Sequence, residues 1–137
     1  MNDISHIANY LIISNRKSYS ELTHLKLQKL LYYSQGLSYA LNNKPLFTEE
    51  FIAWEHGPAV EEIYNIFRHF SGRVLVETSS ANLNPEAISL INEVNGTYSQ
   101  FSPWTLRCMT HEETPWCSTP KNEIISKDKI RNFFCSL

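Results

Sequence analysis

No stretch of this sequence approaches the roughly 20 consecutive apolar residues that a membrane-spanning helix needs. Its N-terminus has no basic segment leading into an apolar core of the secretory type, so a cytoplasmic protein is expected. A basic excess is missing too: 12 Lys and Arg stand against 14 Asp and Glu, for a formal net charge of -2. Dedicated nucleic-acid binders normally gather a basic surplus on one face, so that class is disfavoured. Cysteine is scarce, and Cys108, Cys117 and Cys135 are widely spaced and odd in number. That is neither a disulfide framework nor a CxxC metal or redox pair. The histidines, His6, His24, His56, His69 and His111, make no HxH or HExxH pattern, so metal-ligand spacing is absent. No repeat, low-complexity tract or linker interrupts the chain, and nothing in it calls for a cofactor.

What is present is enough for a core. The 137 residues are 42% hydrophobic and only 19% charged, which excludes disorder. A domain of this length buries roughly two-thirds of its unfolded surface.

Thr23 to Leu41 is the stretch around which the rest is arranged. Leu27, Leu30, Leu31, Ser34, Leu37 and Leu41 recur at helical spacing. Thr23 is a suitable N-cap, Leu22 can pack on Leu27 across the first turn, and Asn42-Asn43-Lys44-Pro45 stops the helix. Lys26, Lys29 and Tyr33 fall on the opposite side, with Gln28, Tyr32, Gln35 and Tyr39 beside the apolar stripe. Gly36 sits mid-helix despite a cost of about 1 kcal/mol relative to Ala, which marks close approach of another segment. This helix is expected to be buried on more than one side.

Around it the periodicities predict further elements. Ile4, Ile7, Ala8 and Leu11 form a first helix to about Ile13, with a loop over Ser14–Ser20. Phe51–Trp54 has strand character, and His56-Gly57-Pro58 ends it with Pro58 as first residue of a new helix. That helix presents Val60, Ile63, Tyr64, Phe67 and Phe70 and ends before Gly72. Arg73–Glu77 reads as a second strand able to pair with Phe51–Trp54. Asn84-Pro85 and Ser102-Pro103 each open a helix, the first ending at Gly96, and Ser126 caps a last one carrying Phe133 and Phe134. The sum is a mostly α fold: five or six helices with a small two-stranded antiparallel element.

Few residues suggest chemistry. His56 beside Gly57-Pro58 is either an anion-facing imidazole at a helix start or a polar cap of the turn, and capping is favoured. Glu49, Glu50, Glu55, Glu61 and Glu62 crowd one region, best read as a solvated acidic face, then as a docking surface for a basic protein. His111 followed by Glu112 and Glu113 could form a general-base pair, but no nucleophile is fixed nearby. A metal site assembled from His56, His111 and Cys117 would have no close ligand pair, so none is expected. Trp54, Trp104 and Trp116 lie beside turns, where tryptophans serve as core, hinge or interface anchors.

Three blocks taken together carry a resemblance. They are Lys26-Leu-Gln-Lys-Leu-Leu-Tyr-Tyr-Ser-Gln-Gly36, Ala53-Trp-Glu-His-Gly-Pro-Ala-Val-Glu-Glu-Ile-Tyr64, and Leu106 through Thr110-His111-Glu112-Glu113-Thr114-Pro115-Trp116. In order and spacing the chain resembles the Panacea domain of SocA-like antitoxins, a family of phage-associated proteins. Ile130-Arg-Asn-Phe-Phe134 fits as well, so residues 1–137 are expected to be one such domain. Ala59 departs from the valine that often follows Gly-Pro in the family.

The resemblance implies a mostly helical, non-enzymatic protein that binds and neutralises a cognate toxin encoded by an adjacent gene. Some relatives carry an extra DNA-binding segment for which this chain has no room, so autorepression by this chain alone is not expected. On this reading Lys26, Lys29, Tyr33, Trp54, His56, His111 and Trp116 lie on or near a partner-facing groove. The alternatives are a small hydrolase using His111 with Glu112 or Glu113, and a phage accessory protein that binds nucleic acid.

Overall fold

The computed structural model describes residues 2–70 and 73–137. Among them are seven α-helices and one small antiparallel sheet. The helices are α1 (Ile4–Ser18), α2 (His24–Asn42), α3 (Glu61–Phe67), α4 (Pro85–Tyr98), α5 (Pro103–His111), α6 (Thr114–Cys117) and α7 (Lys127–Cys135), and the strands are β1 (Phe51–Trp54), β2 (Gly57–Ala59) and β3 (Ile124–Ile125).

The second helix is the axis of the molecule. Thr23 accepts from the Lys26 amide as its N-cap, and Asn43 closes the other end in the left-handed region at φ 54°. Thirteen of the nineteen α2 residues are buried, so the helix is enclosed on all sides rather than along one stripe. The first, fourth, fifth and last helices pack around it. Gly36 is where the last helix comes closest: a β-carbon there would overlap the Phe134 ring.

Full enclosure decides what the polar residues of α2 do, because a buried polar group costs free energy unless it is hydrogen-bonded. Gln35, Gln28, Lys26 and Lys29 each take a backbone group of a neighbouring segment. The Gln35 amide accepts from the Leu46 and Phe47 N–H groups at 2.8 and 3.2 Å and donates to the Phe47 carbonyl at 2.9 Å. Gln28 accepts from the Val60 amide at 2.8 Å and donates to the Val60 carbonyl at 3.1 Å. Lys26 donates to the Ser99 carbonyl at 2.6 Å, a cation placed at the C-terminal end of α4. Lys29 donates to the Pro58 carbonyl at 2.9 Å. Lys26, Lys29 and Tyr33, expected on or near a partner-facing groove, are all buried.

The sheet also differs from expectation. Gly57-Pro58-Ala59 does not open a helix but folds back on β1 as β2, with Trp54 opposite Gly57 and Ile52 opposite Ala59. Pro58 tolerates this because β2 is an edge strand, where a missing N–H leaves no ladder position empty. The third helix starts at Glu61 instead. The other neighbour of β1 is β3, with Phe51 opposite Ile125 and Ile52 opposite Ile124. Arg73–Glu77 is not a strand. Its backbone finds partners elsewhere: the Leu75 amide donates to the Leu22 carbonyl at 2.7 Å, and beyond it the Thr78 amide donates to Asn9 at 2.7 Å. Helix α1 runs past the expected end at Ile13 to Ser18, through most of the expected loop, and Arg16 in its last turn pairs with Glu77 at 2.7 Å. The fourth helix likewise runs past Gly96 to Tyr98. The expected stop at Gly72 falls outside the described residues.

Candidate partner-binding face

The turn between β1 and β2 is built on Gly57, whose φ of +109° is one that side-chain-bearing residues rarely adopt. A β-carbon at Gly57 would also lie 2.7 Å from Thr110 Oγ1 and 2.9 Å from Lys29 Cε. Glycine therefore lets the hairpin close down onto α2 and α5. The result is that Glu55 and His56 project at the tip, exposed, with Trp54 half-buried behind them.

The fifth helix supplies the facing wall. Ser102 caps its start with a hydroxyl that accepts from the Thr105 amide, and Pro103 occupies the first turn, where its missing N–H costs nothing. Leu106 and Thr110 face inward and are buried. Trp104, Arg107 and His111 fall at i, i+3 and i+7 and form the outward stripe. The Arg107 guanidinium lies over the Trp104 ring at 4.4 Å from its centroid, while its Nε donates to His56 Nδ1 at 3.0 Å. His111 stacks on Trp116 with centroids 3.9 Å apart and planes 7° from parallel. The Trp116 indole in turn donates to the Trp54 carbonyl at 2.8 Å, tying α6 to the hairpin.

These planar groups border two clefts that meet at Glu55 and Lys121. One, of about 440 Å³, is lined by His24, Gln28, Trp54, His56 and Tyr64 among others. Tyr64 is 41% exposed and meets Trp54 edge-on at 5.3 Å. The second, of about 390 Å³, runs past Arg107, His111, Trp116 and Cys117.

Beneath the face lies a buried polar layer. Burial pulls the Lys29 ammonium down to about 7, helped by the nearby Arg107 charge. His24 is held down to about 4 by burial, then by Lys29. His111 is lowered by burial and by Arg107, so its ring is neutral near pH 7. Glu113 accepts from both Tyr32 and Tyr33 hydroxyls, at 3.0 and 2.8 Å, and Tyr33 stacks on Tyr98 at 3.9 Å. Burial raises the Glu113 carboxyl above its ordinary value, against the opposing effect of the two hydroxyls.

The seven residues expected on a groove thus divide. Trp54, His56, His111 and Trp116 converge on one face. Lys26, Lys29 and Tyr33 do not reach it; they are spent on Ser99, Pro58 and Glu113. The His111–Glu pair does not form either, because Glu113 is turned to the two tyrosines and His111 to Trp116. His56 does not cap its turn but accepts from Arg107. No group of three or more His, Cys, Asp or Glu in a metal-binding arrangement occurs among the described residues, and His56, His111 and Cys117 do not make one. Sequence reasoning missed Arg107 and the outward role of Trp104; the i, i+3, i+7 spacing with His111 was the available signal.

The family described as antitoxin SocA-like, Panacea domain, has a model that matches residues 27–117, more than half of the chain. No curated protein and no solved structure matches the chain. The matched span covers α2, the hairpin, and α5 with Trp116, the parts that build the face.

Proposed function

The chain belongs to the SocA-like antitoxin family and carries its Panacea domain, and from this we infer that it binds and neutralises a cognate protein toxin. The observation that carries the reading past family membership is the open face of Trp54, His56, Arg107, His111 and Trp116, which borders two adjoining clefts. Half-exposed aromatics and an arginine around a concavity are the residue types that dominate protein interfaces. Neutralisation needs only such an interface, about 1,600 Å² in total for a stable complex, and no turnover by this chain.

In this reading residues 1–137 act as one Panacea-like domain, since α1 and α7 both pack against the matched α2, and the protein works in the cytoplasm. The toxin is encoded by an adjacent gene of a phage or other mobile element. Trp54, His56, His111 and Trp116 contact it, while Lys26, Lys29 and Tyr33 hold those residues in place from beneath. No helix among the described residues is long and apolar enough to cross a membrane.

Co-expression with each neighbouring reading frame, scored by growth and then by co-purification, tests this. A toxic neighbour rescued through a stable complex, with rescue lost on Lys121→Glu at the meeting point of the clefts, is the expected result. A harmless set of neighbours, or rescue without a complex, overturns it.

A further inference from the structure

Arg107 is a cation that the face leaves without an acidic partner among the described residues. Its guanidinium is fixed in two directions, by the Trp104 ring at 4.4 Å and by the 3.0 Å bond from Nε to His56. Both constraints leave the two terminal amino groups untouched, and these make no hydrogen bond to any described residue. Nor does Arg107 form an ion pair; the salt bridges among the described residues are Arg16–Glu77 and Lys44–Glu86, both away from this face. Glu55 is the one acid lining the cleft beside Arg107 and Lys121, and it pairs with neither.

A guanidinium immobilised by stacking and by one lateral bond has already lost most of its rotamer freedom, so little more is lost when it binds. Its remaining N–H groups form a planar fork that matches a carboxylate with two parallel hydrogen bonds. The cationic bias is local, in a chain whose net charge is -2. A single fork beside Lys121 suits one acidic side chain, whereas a nucleic-acid backbone demands several phosphate contacts.

We propose that Arg107, braced by Trp104 and His56, is the receptor for an aspartate or glutamate carboxylate of the protein partner, whose neighbouring residues fill the cleft walled by His111 and Trp116. The inference rests on reading this face as the toxin-binding one.

The test needs no toxin, so its failure and that of the antitoxin reading are separable. The full chain, labelled with nitrogen-15, is titrated with the blocked peptide acetyl-Ala-Glu-Phe-Ala-amide and with its Glu→Gln counterpart, reading the Arg107 Nε–H and Trp104 indole resonances. The Glu peptide is expected to shift both and to bind about tenfold or more tighter than the Gln peptide, the scale of a charge-assisted hydrogen-bond pair. Arg107→Gln should abolish that preference and Arg107→Lys should keep only part of it, since an ammonium has charge without the fork. Unchanged thermal melting of both variants confirms that they are folded. Equal binding of the two peptides, a preference surviving in Arg107→Gln, or tighter binding of a deoxythymidine oligomer at physiological salt would each overturn the proposal.

Discussion

The enclosed second helix and the face made by the hairpin and α5 use similar residues for opposite ends. Both combine cations with aromatic rings: Lys26, Lys29, Tyr32 and Tyr33 in one, Arg107, Trp54, Trp104 and Trp116 in the other. In the helix these polar heads meet a backbone carbonyl or Glu113, and burial puts them out of a partner's reach. On the face, stacking and single lateral bonds hold the groups while hydrogen-bonding capacity stays open. A conspicuous polar motif can therefore be scaffold, and the binding surface can lie in residues it positions. If this division is right, damage to the helix should cost stability, and damage to the face should cost binding alone.

The largest loss is expected from Gln35→Leu. It strands two amides and a carbonyl around Leu46 and Phe47, all buried. An unsatisfied buried group costs about 1–3 kcal/mol, so a total of about 3 kcal/mol or more should appear in chemical denaturation. A cost below about 1 kcal/mol would mean that water replaces the amide and that the helix is less enclosed than described.

Gly36→Ala comes next. Helix propensity alone favours alanine by about 1 kcal/mol, but the added methyl overlaps the Phe134 ring. The net effect is a destabilisation of about 1–3 kcal/mol, the usual cost of overpacking. Phe134→Leu in the same chain should recover part of it, and a double-mutant cycle measures that coupling.

Lys29 gives a pH-dependent signature. In the unfolded chain the amine keeps its proton to about 10.4, whereas in the folded protein it releases it near 7. Between those values the unfolded state binds more protons, so this group's contribution is complete above the unfolded value and is lost as pH falls through about 7. Wild-type stability relative to Lys29→Met should rise from pH 7.5 to pH 9, by at most about 1.4 kcal/mol per pH unit. Parallel pH profiles for the two proteins would show that Lys29 carries no such linkage.

Much of this architecture was legible. The Leu spacing, the Thr23 cap and mid-helix Gly36 disclosed a central, crowded helix, and the Asn84-Pro85, Ser102-Pro103 and Ser126 signals marked helix starts that the structure keeps. What failed depended on distant partners. Lys26 and Lys29 look solvent-facing by residue type, and only the carbonyls of Ser99 and Pro58, 73 and 29 residues away, account for their burial. Val74 and Val76 suggest a strand, yet both are exposed, and the ladder position beside β1 goes to the short Ile124–Ile125. Trp54, His56, His111 and Trp116 stand out in the sequence by residue type and position beside turns, and the structure brings them to one face. Arg107 has a local signal only in its i+3 spacing from Trp104; its bond to His56, 51 residues away, is not legible in the sequence.

Trp104 should give the smallest effect on stability and the sharpest test of the division. It is 60% exposed, and its ring lies against the Arg107 guanidinium. Trp104→Ala removes a cation–π contact of about 0.5–1 kcal/mol at an exposed site and opens no buried cavity. Folding should therefore be weakened by less than about 1 kcal/mol, a change of a few degrees at most in the melting temperature. Binding should suffer more, because Arg107 regains rotamer freedom that must be lost again on association, at about 0.5–1.5 kcal/mol per side chain, along with the anchor surface of the indole. If the face binds a toxin as proposed, its affinity is expected to fall about tenfold or more while the melting curve hardly moves. A variant that melts much earlier would place Trp104 among the structural residues, and the boundary between scaffold and binding face would then run outside α5.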